Sequence, residues 1–340
     1  VSEQLSSQAG RPLAASRQPG FTLGWPETFS VFGGALQSAI AFPELARCEH
    51  LEPSWTLELA DAHELPRRCQ VLGAIPDQPC RVELSRAEAD GFVLSHSCTG
   101  AFHVRNSGRE IHYATLSSAA TDLVRGDVLG RVLPLAMHMG GILSLHASAV
   151  ALREGAIGFL APKGFGKSTI SLSLTHAGAR FVTDDVLPVL PNEPFCVNPG
   201  VQSVRLHSDT AHRLLDSSTV TRSGIDGKHI VDELPRDKVV TKPVPLAALY
   251  VLSPRRGAEL SQLVRRTRLP ARLAALELVR HAKIGALLGG SEASIVLERA
   301  SRIAARVPVY SLNIVRDLDC LRAAAATVSA WHGGAYAAGQ

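Results

Sequence analysis

The chain has 340 residues, with 35 Lys+Arg against 31 Asp+Glu and a formal charge of +4, and 46% of it is hydrophobic. Whole-chain disorder is excluded, and the length suffices for large cores and two domains. So small a net charge demands no polyanionic partner, and no aromatic-interleaved basic motif points to nucleic acid.

Residues 1–24 are polar and lack the apolar stretch of a signal peptide, so they are expected as a flexible tail of a cytoplasmic chain. Residues 25–128 read as a smaller N-terminal domain, mixed but mostly β. SWTLELA, RVELS, GFVLSHS, AFHVRN and EIHYATL carry strand-like alternation, separated by turn clusters such as GAIPDQP and RNSGRE. His96, His103 and His112 fall near these strands at irregular spacing and are expected as strand-surface histidines. Six cysteines, Cys48, Cys69, Cys80, Cys98, Cys196 and Cys320, form no CxxC pair. They suggest neither a disulfide framework nor a thiolate zinc site, and are read as small buried hydrophobes. No apolar run reaches 18 residues, which argues against a membrane span.

Residues 129–331 change in texture, leaving 332–340 as a C-terminal tail. Residues 132–141 suit a helix and ILSLHASAVAL an apolar strand; REG turns the chain into a second strand, AIGFLAP. The loop PKGFGK follows, then a helix, STISLSLTHAG, closed by Gly178, then the strand ARFVTDDVLPVL. Strand, glycine loop, helix and strand is the order an α/β nucleotide-binding core requires. VPLAALYVLSP and Val307 to Ile314 read as further strands, residues 268–288 and 291–305 as helices, and DLDCLRAAAATVSAWHG as a last helix. The arginines of the SQLVRRTRLP region read as a solvated face.

The segment Ala161-Pro162-Lys163-Gly164-Phe165-Gly166-Lys167-Ser168-Thr169 fits a phosphate-loop (Walker A) pattern with Ala at its first glycine. Gly164 and Gly166 let the backbone curl so that successive N–H groups face an anion, and the helix that follows points its positive end the same way. Lys163 to Thr169 are therefore the candidate nucleotide contacts, with Lys167 reaching the β and γ phosphates and Ser168 offering its hydroxyl to Mg2+. Asp184 and Asp185 end the next strand, where ligands of open α/β sheets bind, and a carboxylate pair there can hold Mg2+ or receive a proton. His146, within an apolar strand, is either a satisfied core residue or a phosphoryl contact. Only six of the basic residues are lysine: Lys163, Lys167, Lys228, Lys238, Lys242 and Lys283. Arginine thus supplies the generic charge, and two of the lysines fall in one loop.

LHASAV followed by AIGFLAPKGFGKSTISLSLTHAGARFVTDD resembles the catalytic core of the HPr serine kinase/phosphorylase-like family. The resemblance is strong over about residues 142–190 and weaker through SVRL, GIDGKHIV and the terminal helices. It implies an α/β fold with a P-loop kinase core akin to phosphoenolpyruvate carboxykinase, ATP and Mg2+ as cofactors, and assembly into a homo-oligomer. It makes His146 the active-site histidine, Lys167 the loop lysine, Ser168 the metal-side hydroxyl, Asp184 the general base and Asp185 the metal partner. The family's glutamate- and glycine-rich signature, resembling EIRGLGI, is replaced here by NPGVQSVRLHSD. In this the chain resembles divergent members from peptide natural-product clusters, some of which phosphorylate the C-terminal serine of a lasso-peptide precursor. In those relatives Arg205 would sit near the phosphates or acceptor, and Lys228 would be a mobile active-site contact; the sequence itself leaves both open as solvated residues.

The expected activity is direct transfer of the γ-phosphoryl group of ATP to a serine hydroxyl of a peptide or small protein. The alternatives are an HPr-type protein serine kinase, a nucleotide hydrolase, and a non-catalytic nucleotide- or peptide-binding regulator.

Overall fold

The computed structural model describes residues 26–49, 51–215, 222, 223, 227, 229–231, 234–255, 264–315 and 317–336. Lys228 lies outside them. A β-rich N-terminal part is followed by a mixed α/β part.

The N-terminal part is a nine-stranded sheet running from Glu27–Val31 to Glu110–Thr115, and Cys69–Asp77 through Glu110–Thr115 form an antiparallel meander. Period-two patterning explains its one-sided core. Val82, Leu84, Phe102, Val104, Ile111 and Tyr113 are fully buried, and Phe102 stacks on Tyr113 with ring centroids 4.3 Å apart. Two expectations fail here. His96 and His103 are buried at 3% and 7% exposure, with Asp127 Oδ2 on His96 Nδ1 and the Asp90 carbonyl on His103 Nε2. Cys80 and Cys98 are joined as a disulfide, while Cys69 is exposed and Cys48, Cys196 and Cys320 are partly so. The pairing arises from strand register, which residue spacing does not reveal.

Residues 121–139 form one helical segment, with a π-helical turn at Val128–Val132 ahead of Leu133–Met139. It begins well before the expected residue 132. Pro134 has no N–H to donate four residues back, and the widened turn accommodates that loss.

The C-terminal sheet also has nine strands. At its centre Val244–Arg255 pairs in parallel with both Gly155–Leu160 and Val309–Val315. Gly155–Leu160 pairs antiparallel with Ala147–Leu152, which pairs antiparallel with Arg180–Thr183. Both faces are covered, so these strands read as continuous apolar runs. Ala147, Ala149 and Ala151 face the core shared with the N-terminal sheet, whereas Val150 and Leu152 face the core beneath the helices Lys167–His176 and Leu321–Ala330.

Two expected strands are each broken. ILSLHASAVAL divides at His146 into Leu143–Leu145 and Ala147–Leu152, and ARFVTDDVLPVL divides into Arg180–Thr183 and Leu187–Val189. The halves pair with each other, Leu145 opposite Leu187 and Ala149 opposite Thr183, so the two breaks face one another. The helix expected over 268–288 stops at Arg280, because the following turn bonds to the edge strand: His146 N–H donates to the His281 carbonyl (2.7 Å), and Lys283 N–H to that of Ser144 (2.8 Å). Among the described residues, no helix is long and apolar enough to cross a membrane.

The two sheets share one apolar cluster, from Phe29 to Val309. Glu292, 8% exposed, ties them together by binding Arg86 Nη2 (2.5 Å) on the first sheet and His138 Nε2 (2.8 Å) on the intervening helix. Glu292→Ala would remove the carboxylate from both partners, and with Arg86 40% exposed it is expected to cost about 1–2 kcal/mol of unfolding free energy, read from a urea titration.

Candidate active site

Strand direction gathers the site. Arg180–Thr183 is two antiparallel steps from Gly155–Leu160 and therefore runs the same way, so the residues following both strands emerge at one sheet edge. His146, at the start of the intervening antiparallel strand, lies at that edge too. The glycine loop, the carboxylate pair and the histidine are brought together by topology.

After Leu160 the chain makes an exposed loop, then the ten-residue helix Lys167–His176. Gly164 and Gly166 have φ of +85° and +91°, and Gly166 caps the helix. Space around their Cα atoms is open, so the left-handed backbone itself is what selects glycine. Lys167 is buried (7% exposed), and its Nζ donates to the carbonyls of Ala161 (2.7 Å) and Pro162 (3.3 Å) across the loop. Phe165 projects from the loop at 41% exposure.

Ser168 Oγ donates to Asp184 Oδ1 (2.9 Å), and Arg205 N–H approaches Asp184 Oδ2 at 3.4 Å. Burial raises the Asp184 pKa, Asp185 raises it further, and the Ser168 bond offsets part of the rise. Asp185 has different company. Its Oδ1 lies 2.6 Å from Lys283 Nζ and 3.3 Å from His146 Nε2. Burial alone would raise its pKa, but the Lys283 ammonium overrides that and holds the carboxyl below the ordinary range. Asp185 also sits at φ +77°, a conformation uncommon for any residue but glycine and tolerated best by Asp and Asn. Gly130, in the π-helical turn, borders the same carboxylate: a Cβ there would lie 3.8 Å from Asp185 Oδ2.

His146, half-buried, has its pKa lowered to about 3, chiefly by burial and then by Lys283. His281, buried beside it in sequence-distant chain, is lowered to about 4 by burial and then by Lys167. Both are neutral imidazoles near pH 7.

His146, Lys167, Ser168, Asp184, Asp185 and the Arg205 backbone are thus brought into one cluster, with the Arg205 charge also acting on Asp185. Lys163 and Gly164 to Gly166 line the loop, and Thr169 lies in the first helical turn. Lys283 and His281 were missed by the sequence reading, although the scarcity of lysine had already set Lys283 among six. For Mg2+, the donor set fits: a hydroxyl and a carboxylate, both hard oxygens, adjacent at the start of a helix.

No family model matches the chain, and no curated protein does. Among solved structures, the HPr(Ser) kinase/phosphatase from Coxiella burnetii is similar over 54% of this chain and 93% of that chain, at 14% sequence identity and a TM-score of 0.28. The similarity is weak and partial.

The histidine shifts carry a pH signature. Their folded pKa values, about 3 and about 4, lie below the ordinary 6.5. The unfolded chain therefore binds more protons in that interval, and the stabilisation is lost as pH falls from about 6.5 towards 3. Urea midpoints should drop across this window, and the double variant His146→Gln/His281→Gln should show a shallower slope.

Proposed function

We propose that the chain is an ATP- and Mg2+-dependent phosphotransferase whose acceptor is a serine hydroxyl of a peptide or small protein. The observation that carries this reading is the placement of Lys167 and Ser168, at the head of a helix behind a left-handed glycine loop, against two carboxylates with separate partners. Lys167 can turn from the Ala161 and Pro162 carbonyls to phosphate oxygens, and the loop amides and helix start add fixed positive ends. Ser168 and Asp184 would hold Mg2+, which when bound supplies neutralisation of phosphate charge.

The Ser168–Asp184 bond favours Asp184 as metal partner and leaves Asp185 to receive the acceptor's proton, the reverse of the division the resemblance implies. Asp185 is a weak base while Lys283 neutralises it. Phosphate charge that draws Lys283 away would raise its proton affinity, so basicity would follow nucleotide binding. His146, neutral and beside Asp185, would orient that carboxylate or the acceptor hydroxyl. Arg205 would meet the transferred phosphate or the acceptor, and a contact from Lys228, which lies outside the described residues, rests on the resemblance alone. Support for the narrower acceptor, the C-terminal serine of a lasso-peptide precursor, comes from NPGVQSVRLHSD standing where the HPr-type signature is expected.

Incubation with ATP, Mg2+ and either precursor peptides or HPr protein, followed by intact mass, reads the acceptor directly. Lys167→Ala and Asp184→Asn should each lower phosphate incorporation by about 100-fold or more. Undiminished transfer in both variants would sink the assignment. ATP turnover without an acceptor would mark a hydrolase, and nucleotide binding without turnover a regulator.

A further inference from the structure

Cys80, His96 and Cys98 meet on the N-terminal sheet, outside the cluster around Lys167. Val82 pairs with His96 across antiparallel strands. Two residues before Val82 and two after His96, Cys80 and Cys98 lie opposite one another on the same face, with Cα atoms 5.8 Å apart. On its other side Cys80 pairs with Asp77. One ligand atom from each of Cys80, His96 and Cys98 lies within 4.8 Å of the others.

The histidine is prepared in a way the disulfide does not need. His96 is 3% exposed, and its Nδ1 is engaged by Asp127 Oδ2 at 2.5 Å. Asp127 is itself fixed by Thr99 Oγ1 (2.7 Å) and Arg131 Nη1 (2.5 Å). His96 Nε2 is buried and has no hydrogen-bond partner. Asp77 Oδ2, held by Arg131 Nη2 at 2.6 Å, is the nearby carboxylate, 3.6 Å away. Carboxylate on one ring nitrogen and an open lone pair on the other is how metal-ligating histidines are oriented. An orphaned buried nitrogen is otherwise destabilising.

We propose that, once the disulfide is reduced, Cys80, Cys98 and His96 Nε2 form a zinc site, with Asp77 or water as fourth ligand. Two thiolates and an imidazole are the donor set that selects Zn2+ over harder cations. A phosphine or dithiol reductant supplies two electrons, the S–S bond breaks to two thiols with uptake of two protons, and metal binding releases those protons. A phosphine takes its oxygen from water, which also supplies the two protons, and leaves as phosphine oxide; a dithiol supplies the two protons itself and leaves as a cyclic disulfide. Disulfide and zinc are mutually exclusive states of one sulfur pair, so metal occupancy reports thiol redox state.

The test uses the full chain, reduced with a phosphine, stripped of metal and titrated with Co2+ or Zn2+. Reduced wild type should bind one equivalent per chain, with thiolate-to-cobalt charge-transfer absorption, and the oxidised chain none. Cys80→Ser and Cys98→Ser should lose that absorption. Asp127→Asn, which leaves the ligands in place, should weaken binding by about 10–100-fold. Cys48→Ser/Cys69→Ser should bind as wild type does. Because a cysteine variant can fail to fold, a second readout stays on the wild-type chain: Zn2+ should protect Cys80 and Cys98 from alkylation, read by peptide mass. Absence of a stoichiometric metal in the reduced chain, or alkylation of both cysteines unaffected by Zn2+, overturns the proposal.

Discussion

Asp184 and Asp185 stand next to each other where a buried strand breaks, and two carboxylates so close raise each other's proton affinity unless each finds its own compensation. Here the compensation is divided. Asp184 takes a hydroxyl and a backbone amide, while Asp185 takes an ammonium and faces a neutral imidazole. Reaching both sets of partners requires the two side chains to diverge, and the positive φ of Asp185 lets them do so. The glycine loop, the histidine strand and the turn after Arg280 all converge on that divergence.

What fixes the pair in place is a sheet covered on both faces. Alanines at 147, 149 and 151 meet one core while Val150 and Leu152 meet the other, so a one-residue slip would put each set in the wrong core. With register so constrained, the breaks at His146 and at Asp184–Asp185 are forced opposite each other. The N-terminal sheet contributes by sharing the first core, and the helical segment between the sheets brings Gly130 of its π-helical turn up to Asp185. A Cβ at Gly130 would make only ordinary contacts with that carboxylate and with Lys283 Cε.

Local structure was legible in the sequence wherever neighbouring residues carry it. The left-handed glycines, the lysine and serine that start a helix, and the paired aspartates are contiguous signals, and the loop and helix lie where the pattern puts them. Partnerships made by strand pairing were not legible. Lys283 is almost a hundred residues from Asp185 and meets it only because the turn after Arg280 bonds to an edge strand. The Cys80–Cys98 pairing and the burial of His96 follow from antiparallel register, which a list of spacings does not contain. The apolar run ILSLHASAVAL hid its own break, because hydrophobicity alone cannot mark the residue at which a strand changes partners.

Under the proposed phosphotransfer, lysine at these two cationic positions suits what they would have to do. Arginine's planar fork commits to a fixed carboxylate or phosphate geometry, whereas an ammonium on a flexible stem exchanges one oxygen for another with little reorientation. Lys167 and Lys283 are both already bonded to protein oxygens, carbonyls for the first and a carboxylate for the second. A cation held this way is compensated by protein oxygens and, on the proposed reading, would remain transferable to phosphate. In a chain whose positive charge is mostly arginine, that exchangeability would be a physical reason for lysine at both positions.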